Sequence, residues 1–245
     1  MRWVPRFILI AILLLLAASR TFAGRPKPDF GGRPNTEWII LVGGPSLHEW
    51  EQYKEYPHDH WWANFVHAAR LRTDQLRAEL GPDQKITWLV YKQGYLDRAK
   101  QEHQDLISLI SSVRDKYNLN LVWFNTGSDV INYLNYGEDG SRPKEKILGF
   151  EYFGHSNRAC FMFDYSNYLD SASKSWLHES DFVRIQRSDF VYGAYAKSWG
   201  CHTGEEMSKF WHAATGTHMI GAIGRTQYMM EELPILTSEG GRWVN

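Results

Sequence analysis

Residues 37–45 read Glu-Trp-Ile-Ile-Leu-Val-Gly-Gly-Pro, an unbroken apolar run from Trp38 to Val42 closed by Gly43, Gly44 and Pro45. A short continuous apolar run bounded by turn residues is the mark of a strand buried on both faces, and strands of that kind belong to parallel sheets covered by helices. The chain after it repeats the theme. Trp62, Phe65, Val66, Ala69, Leu76 and Leu80 fall at helical spacing within 61–80, and Gly81-Pro82 closes that helix. A strand is expected at Ile86–Tyr91, a helix at about Gln104–Tyr117 and a short strand at Leu121–Phe124. Thr126 and Asp129 form a capping pattern for a helix running through Leu134. Beyond the turn-rich 137–143 come a strand at Ile147–Phe153 and a return strand at Cys160–Tyr165. A helix at Glu179–Arg187, a strand at Phe190–Trp199, a helix at Glu205–Ala214 and a strand at Met219–Ile223 complete the series. Alternation of this kind predicts an α/β fold, a three-layer α/β/α sandwich around a mostly parallel sheet.

Upstream, Arg2 and Arg6 precede an apolar run from Phe7 to Ala18, and Thr21-Phe22-Ala23 stands before Gly24. Charged, apolar and small-residue regions in that order predict a cleavable signal peptide over 1–23, with an apolar run short for a membrane span. Residues 24–36, rich in Pro, Gly and Arg, read as a linker, and 37–245 as a single α/β domain. The expected mature protein is secreted or periplasmic, with no stable membrane association once the signal is cut. About 220 residues remain, enough for one sizeable core. The formal charge is −1, and loss of the signal removes Arg2, Arg6 and Arg20 and no acid. The resulting acidic balance argues against a nucleic-acid partner. With two cysteines, Cys160 and Cys201, this is no disulfide-framed scaffold, although a single bridge between them is compatible with export.

Ligands of parallel sheets bind at the carboxyl ends of strands. The strand ending at Phe153 delivers His155, and the strand ending at Trp199 delivers Cys201 within Ser-Trp-Gly-Cys-His-Thr-Gly, residues 198–204. If these strands are neighbours, an imidazole meets a thiol. Thr203 and Glu206 have capping-box spacing, and Met207, Phe210, Trp211 and Ala214 form an apolar helical face. Cys201 is therefore expected just before a helix N-terminus, where the dipole favours a thiolate.

A hydrophobic strand ending in a His, followed by another ending in a Cys at close to the roughly 50-residue caspase interval, resembles the caspase, legumain and gingipain group of cysteine peptidases, clan CD. The likeness to legumain-like members is carried by Trp38 to Ser46 followed by Trp50, Tyr53 and His58, and that to CHAT-domain proteases by Cys201 to Gly204. It spans most of residues 37–224. Ser156 stands where the family usually has Gly after its His, and the caspase Gln-Ala-Cys-Arg-Gly block is absent. The resemblance implies a caspase-like fold and hydrolysis of peptide or protein substrates. Cys201 is its nucleophile, His155 its proton donor, and the backbone N–H groups of Gly154 and Cys201 its oxyanion site, with no metal or other cofactor.

Other readings stay open. Gly154-His155-Ser156-Asn157-Arg158 resembles an imperfect serine-hydrolase elbow, which makes Ser156 the nucleophile of an esterase or lipase. A non-catalytic binding module of the same fold needs neither residue. His58-Asp59-His60, with His48 and His67 nearby, has a metal-like composition, but is read as an incidental surface cluster. Eleven Trp, thirteen Tyr and twelve Phe suit a well-filled core as well as an aromatic cleft.

Overall fold

The structure, a computed structural model, describes residues 33–51, 57–164 and 174–245. The expected signal peptide, the first part of the linker and Tyr53 lie outside the described residues. The strands in chain order begin with β1 (Thr36–Val42), β2 (Lys85–Tyr91), β3 (Asn120–Phe124) and β4 (Lys146–Phe153). Three short strands follow, β5 (His155–Ser156), β6 (Cys160–Met162) and β7 (Trp176–His178). The rest are β8 (Phe190–Ser198), β9 (Met219–Ile223), β10 (Thr226–Gln227), β11 (Ile235–Leu236) and β12 (Arg242–Val244). The helices are α1 (His48–Glu51), α2 (Asn64–Leu80), α3 (Lys92–Glu102), α4 (Leu106–Tyr117), α5 (Gly127–Tyr136) and α6 (Met207–Thr215).

Seven strands form the central sheet in the order β12-β9-β8-β4-β1-β2-β3, all parallel except β12, which runs antiparallel to β9. Every residue of β1 is buried, as a strand covered on both sides must be. Because successive side chains point to opposite faces, β1 serves two cores. Ile39 and Leu41 pack with Val130, Ile131 and Leu134 of α5 and with Met207 and Trp211 of α6. Trp38, Ile40 and Val42 pack with Phe65, Leu76 and Leu80 of α2, Tyr95 of α3 and Ile110 of α4. Each such side chain contributes roughly 1.5–3 kcal/mol when taken out of water. Helices thus cover both faces of the expected α/β sheet.

The Trp38 indole demands a gap in the neighbouring strand. It lies where a Cβ on Gly149 would stand, and it stacks on Tyr195 from β8 at 5.3 Å. Two carboxylates are also built into the sheet. Glu37 is wholly buried against Arg142 at 2.7 Å, and Glu151 receives Arg72 Nε at 2.7 Å, Trp199 Nε1 at 2.7 Å and Trp38 Nε1 at 3.1 Å.

Several expected helices start late, for local reasons. The one expected from Trp61 begins at Asn64, whose side chain turns back to donate to the His58 carbonyl of a 3-10 turn at Pro57–His60. The one expected from Gln104 begins at Leu106, with Asp105 accepting from the Ser108 amide. The Glu179–Arg187 segment is a 3-10 helix at Glu179–Arg184 and a further turn at Arg187–Asp189. At α5 the capping box forms as read, the Asp129 amide donating to Thr126 Oγ1 and the Thr126 amide to Asp129 Oδ2. Thr126→Ala is expected to lower stability by about 1 kcal/mol in urea unfolding, and no change in midpoint would mean the cap contributes nothing.

Candidate active site

The order of strands reverses at β1, which has β2 on one side and β4 on the other. The chain climbs outward through β2 and β3 in one direction and through β4, β8 and β9 in the other. Loops leaving β1 and β4 therefore diverge and open a crevice beyond their carboxyl ends, the usual place for a ligand in an open α/β sheet. Gly43-Gly44-Pro45-Ser46 leaves β1 there, and Gly154-His155 leaves β4. β8 lies beside β4 with Ser198 opposite Tyr152, and the Trp199 amide donates to the Tyr152 carbonyl at 2.9 Å. The strands that deliver His155 and Cys201 are thus parallel neighbours, ending level with each other.

His155 is half-buried and well fixed. Its ring makes a T-shaped contact with Phe65 at 4.8 Å, its carbonyl accepts from the Tyr152 hydroxyl at 2.6 Å, and its Nε2 lies 3.1 Å from Ser46 Oγ. Ser46 is buried, so this is a fixed partner for the imidazole. It was not singled out as a site residue from sequence. The available signal is a hydroxyl placed directly after the Gly-Gly-Pro turn that ends the first strand.

Cys201 is half-buried and its sulfur lies against Thr226. The Thr226 amide donates to Sγ at 3.4 Å, Thr226 Oγ1 is 3.6 Å away and its carbonyl 3.7 Å. The Cys201 amide makes no hydrogen bond among the described residues. The expectation of a helix N-terminus immediately after Cys201 is corrected: α6 begins at Met207 and residues 201–206 form turns. Glu206, expected to complete the capping box, makes no cap and meets Arg158 Nε at 3.5 Å instead, and the preceding loop is held elsewhere. Glu205 accepts from His202 Nδ1 at 2.6 Å and from the Gly224 amide at 3.2 Å, while the His202 amide donates to the Gly224 carbonyl at 2.8 Å. Those bonds tie the loop to the end of β9 and hold His202 in a left-handed conformation at φ 62°. The hydrogen bond from His202 keeps the Glu205 carboxyl below its ordinary range. Thr203 makes no cap either, donating instead to the Gly200 carbonyl at 3.4 Å. A thiolate at Cys201 thus has the Thr226 N–H beside it rather than a helix dipole.

The second expected oxyanion donor is also corrected. The Gly154 amide donates to the Tyr228 hydroxyl at 2.8 Å, which leaves the Cys201 amide as the one of the pair that is unengaged. Burial holds the Tyr228 phenol well above its ordinary pKa, with Cys201 adding to the effect, so it stays neutral. Ser156 is not on an elbow. It belongs to β5, which turns back through β6 rather than into a helix, and its hydroxyl donates to the Cys201 carbonyl at 2.7 Å. Ser156 therefore ties the loop after β4 to the loop that carries Cys201. Gly200 has no room for a side chain because Ser156 and the Gly154 carbonyl pack against it.

Cys160 stands in β6 opposite His178, and both cysteines are free thiols. Burial, with Glu179 and Asp181 nearby, pushes the Cys160 pKa up to about 11. The four histidines near the first loop go separate ways. His48 meets Glu102 at 3.5 Å, His58 meets Asp59 at 3.2 Å, the His60 carbonyl accepts from Arg98 and His67 Nε2 lies 2.6 Å from the Met230 carbonyl. Among the described residues no group of three or more His, Cys, Asp or Glu is arranged to hold a metal ion, and no helix is long and apolar enough to cross a membrane. No family model matches the chain, and no curated protein or solved structure does.

Proposed function

We propose that the chain is an exported cysteine peptidase with a caspase-like fold, hydrolysing peptide or protein substrates through Cys201 and His155. One observation carries the reading: β4 and β8 are neighbours that end level beside the switch point, and each delivers one member of the pair. With Nε2 engaged by Ser46, Nδ1 is the imidazole nitrogen that takes the thiol proton. The Cys201 thiolate attacks the carbonyl carbon, and the oxygen that becomes negative takes the unengaged Cys201 amide as its donor. Collapse to a thioester expels the amine, protonated by His155, and water activated by the same imidazole releases the acid. That chemistry requires no metal or organic cofactor.

A second reading, a binding module that keeps the fold without the reaction, is favoured by two contacts. The Gly154 amide is engaged by Tyr228, and the Cys201 sulfur rests on Thr226. Iodoacetamide labelling separates the two readings. At mildly acidic pH Cys201 is expected to react faster than a free thiol, Cys160 with its raised pKa is expected to stay unlabelled, and His155→Ala is expected to slow Cys201 by about tenfold or more. Equal labelling of the two cysteines, or no effect of His155→Ala, would favour the binding module.

A further inference from the structure

Arg98 sits midway along α3, a helix of largely polar composition, yet its side chain is only 2% exposed. Its guanidinium reaches three separate parts of the chain. Nη1 donates to the Ser46 carbonyl at 2.8 Å and meets Glu51 Oε1 at 2.6 Å. Nη2 donates to the His60 carbonyl at 3.0 Å and meets Glu102 at 2.6 Å, while Nε donates to Glu102 at 2.7 Å. A buried cation is tolerated when it is paired and its donors are matched, and the planar guanidinium fork does both in one fixed geometry. Burial opposes ionisation of Glu102, but the hydrogen bond and charge of Arg98, with His48 behind, hold its carboxyl below the ordinary range.

Ser46 needs such an anchor. It follows Gly43-Gly44-Pro45 in the loop leaving β1, and its Oγ is the partner of His155 Nε2 at 3.1 Å. A catalytic group displaced by about 1 Å loses on the order of a hundredfold in rate, so the hydroxyl that orients an imidazole must itself be held in place. We propose that Arg98 is a positioning residue for His155, acting through Ser46: by gripping the Ser46 carbonyl it fixes the hydroxyl that orients the ring and keeps the Nε2 proton on the side away from Cys201. This role rests on the cysteine-peptidase reading of the site.

The test is a double-mutant cycle on the full chain, read by Cys201 alkylation across pH and by nitrogen NMR of His155. Ser46→Ala keeps the backbone carbonyl that Arg98 holds, and is expected to slow alkylation at mildly acidic pH by about tenfold. Arg98→Met is expected to slow it similarly, and the double variant to be no slower than Ser46→Ala alone, because the two act in series. Arg98→Lys, which keeps a charge near the Ser46 carbonyl, is expected to recover part of the rate. Additive losses in the double variant, or an Arg98→Met loss that merely tracks its unfolded fraction by circular dichroism, overturn the proposal. If wild-type Cys201 reacts no faster than a free thiol, the peptidase reading fails by itself. The NMR arm still decides the geometry: a proton fixed on Nε2 in the wild type and redistributed in Arg98→Met supports the positioning role, and identical His155 spectra overturn it.

Discussion

Cys201→Ala is expected to lower peptide hydrolysis by at least about a thousandfold, because the residual site can polarise a carbonyl but cannot form the thioester. Stability is expected to change by no more than about 1 kcal/mol, since the sulfur is half-buried and its contacts to Thr226 at 3.4 to 3.7 Å are long. Ser156→Ala is the matched comparison. It removes the 2.7 Å bond to the Cys201 carbonyl, a tether rather than a reacting group, and a loss of about 1 kcal/mol there corresponds to a rate change of tenfold or less. Initial rates on a fluorogenic peptide for both variants, alongside urea unfolding, distinguish the cases. Full activity in Cys201→Ala would end the cysteine mechanism, and a thousandfold loss confined to Ser156→Ala would move the nucleophile to that serine.

Glu151→Ala is expected to destabilise the fold by about 3–5 kcal/mol, a large share of the roughly 5–15 kcal/mol that holds a domain of this size together. The carboxylate is wholly buried and accepts from Arg72, Trp38 and Trp199. Its removal leaves a buried guanidinium whose other carboxylate, Glu79 at 3.3 Å, is largely exposed, and strips two indole N–H groups of their acceptor. The loss also reaches the site, because Trp199 leads directly into Gly200 and Cys201. The urea midpoint measures the first effect and Cys201 alkylation in the surviving folded protein the second. A change below about 1 kcal/mol would mean that Arg72 and the indoles find other partners.

The six parallel strands were legible in the sequence as apolar runs, continuous where both faces are buried as in β1, and their ends fell within a residue of those read from Glu37, Ile86, Leu121, Ile147, Phe190 and Met219, whereas β5, β7, β10, β11 and β12, two or three residues each, left no such run. The α5 start was legible because Thr126 and Asp129 serve no one but the local backbone. The opposite holds for α3. Lys92–Glu102 looks like polar surface, and its importance to the core comes from Tyr95 and from an arginine that is buried only because Glu51 and Glu102 converge on it. At the site, His155 and Cys201 were visible as strand-end residues. Ser46, Thr226 and Tyr228 were not, since each acts across a long sequence separation on an atom that no local pattern identifies. The delayed start of α6 has the same origin: Glu205, read as the first residue of that helix, is held by His202 and by Gly224, nineteen positions on.

The outermost members of the central sheet carry a further consequence, for how copies of the molecule behave together in concentrated solution. An open margin of a sheet offers unpaired backbone groups to which another chain can add, the common route to strand-mediated aggregation. Here one margin is β12, three residues long and reversed relative to the parallel strands, with Arg242 exposed at its start. The other is β3, five residues long and beginning at Asn120, whose amide side chain donates to Glu138. A template of three to five residues gives an incoming chain few hydrogen bonds, and charge or polarity at its start makes that addition less favourable. The long apolar strands β1 and β4, which by themselves have the composition of an aggregation-prone segment, lie in the middle of the sheet with both neighbours in place.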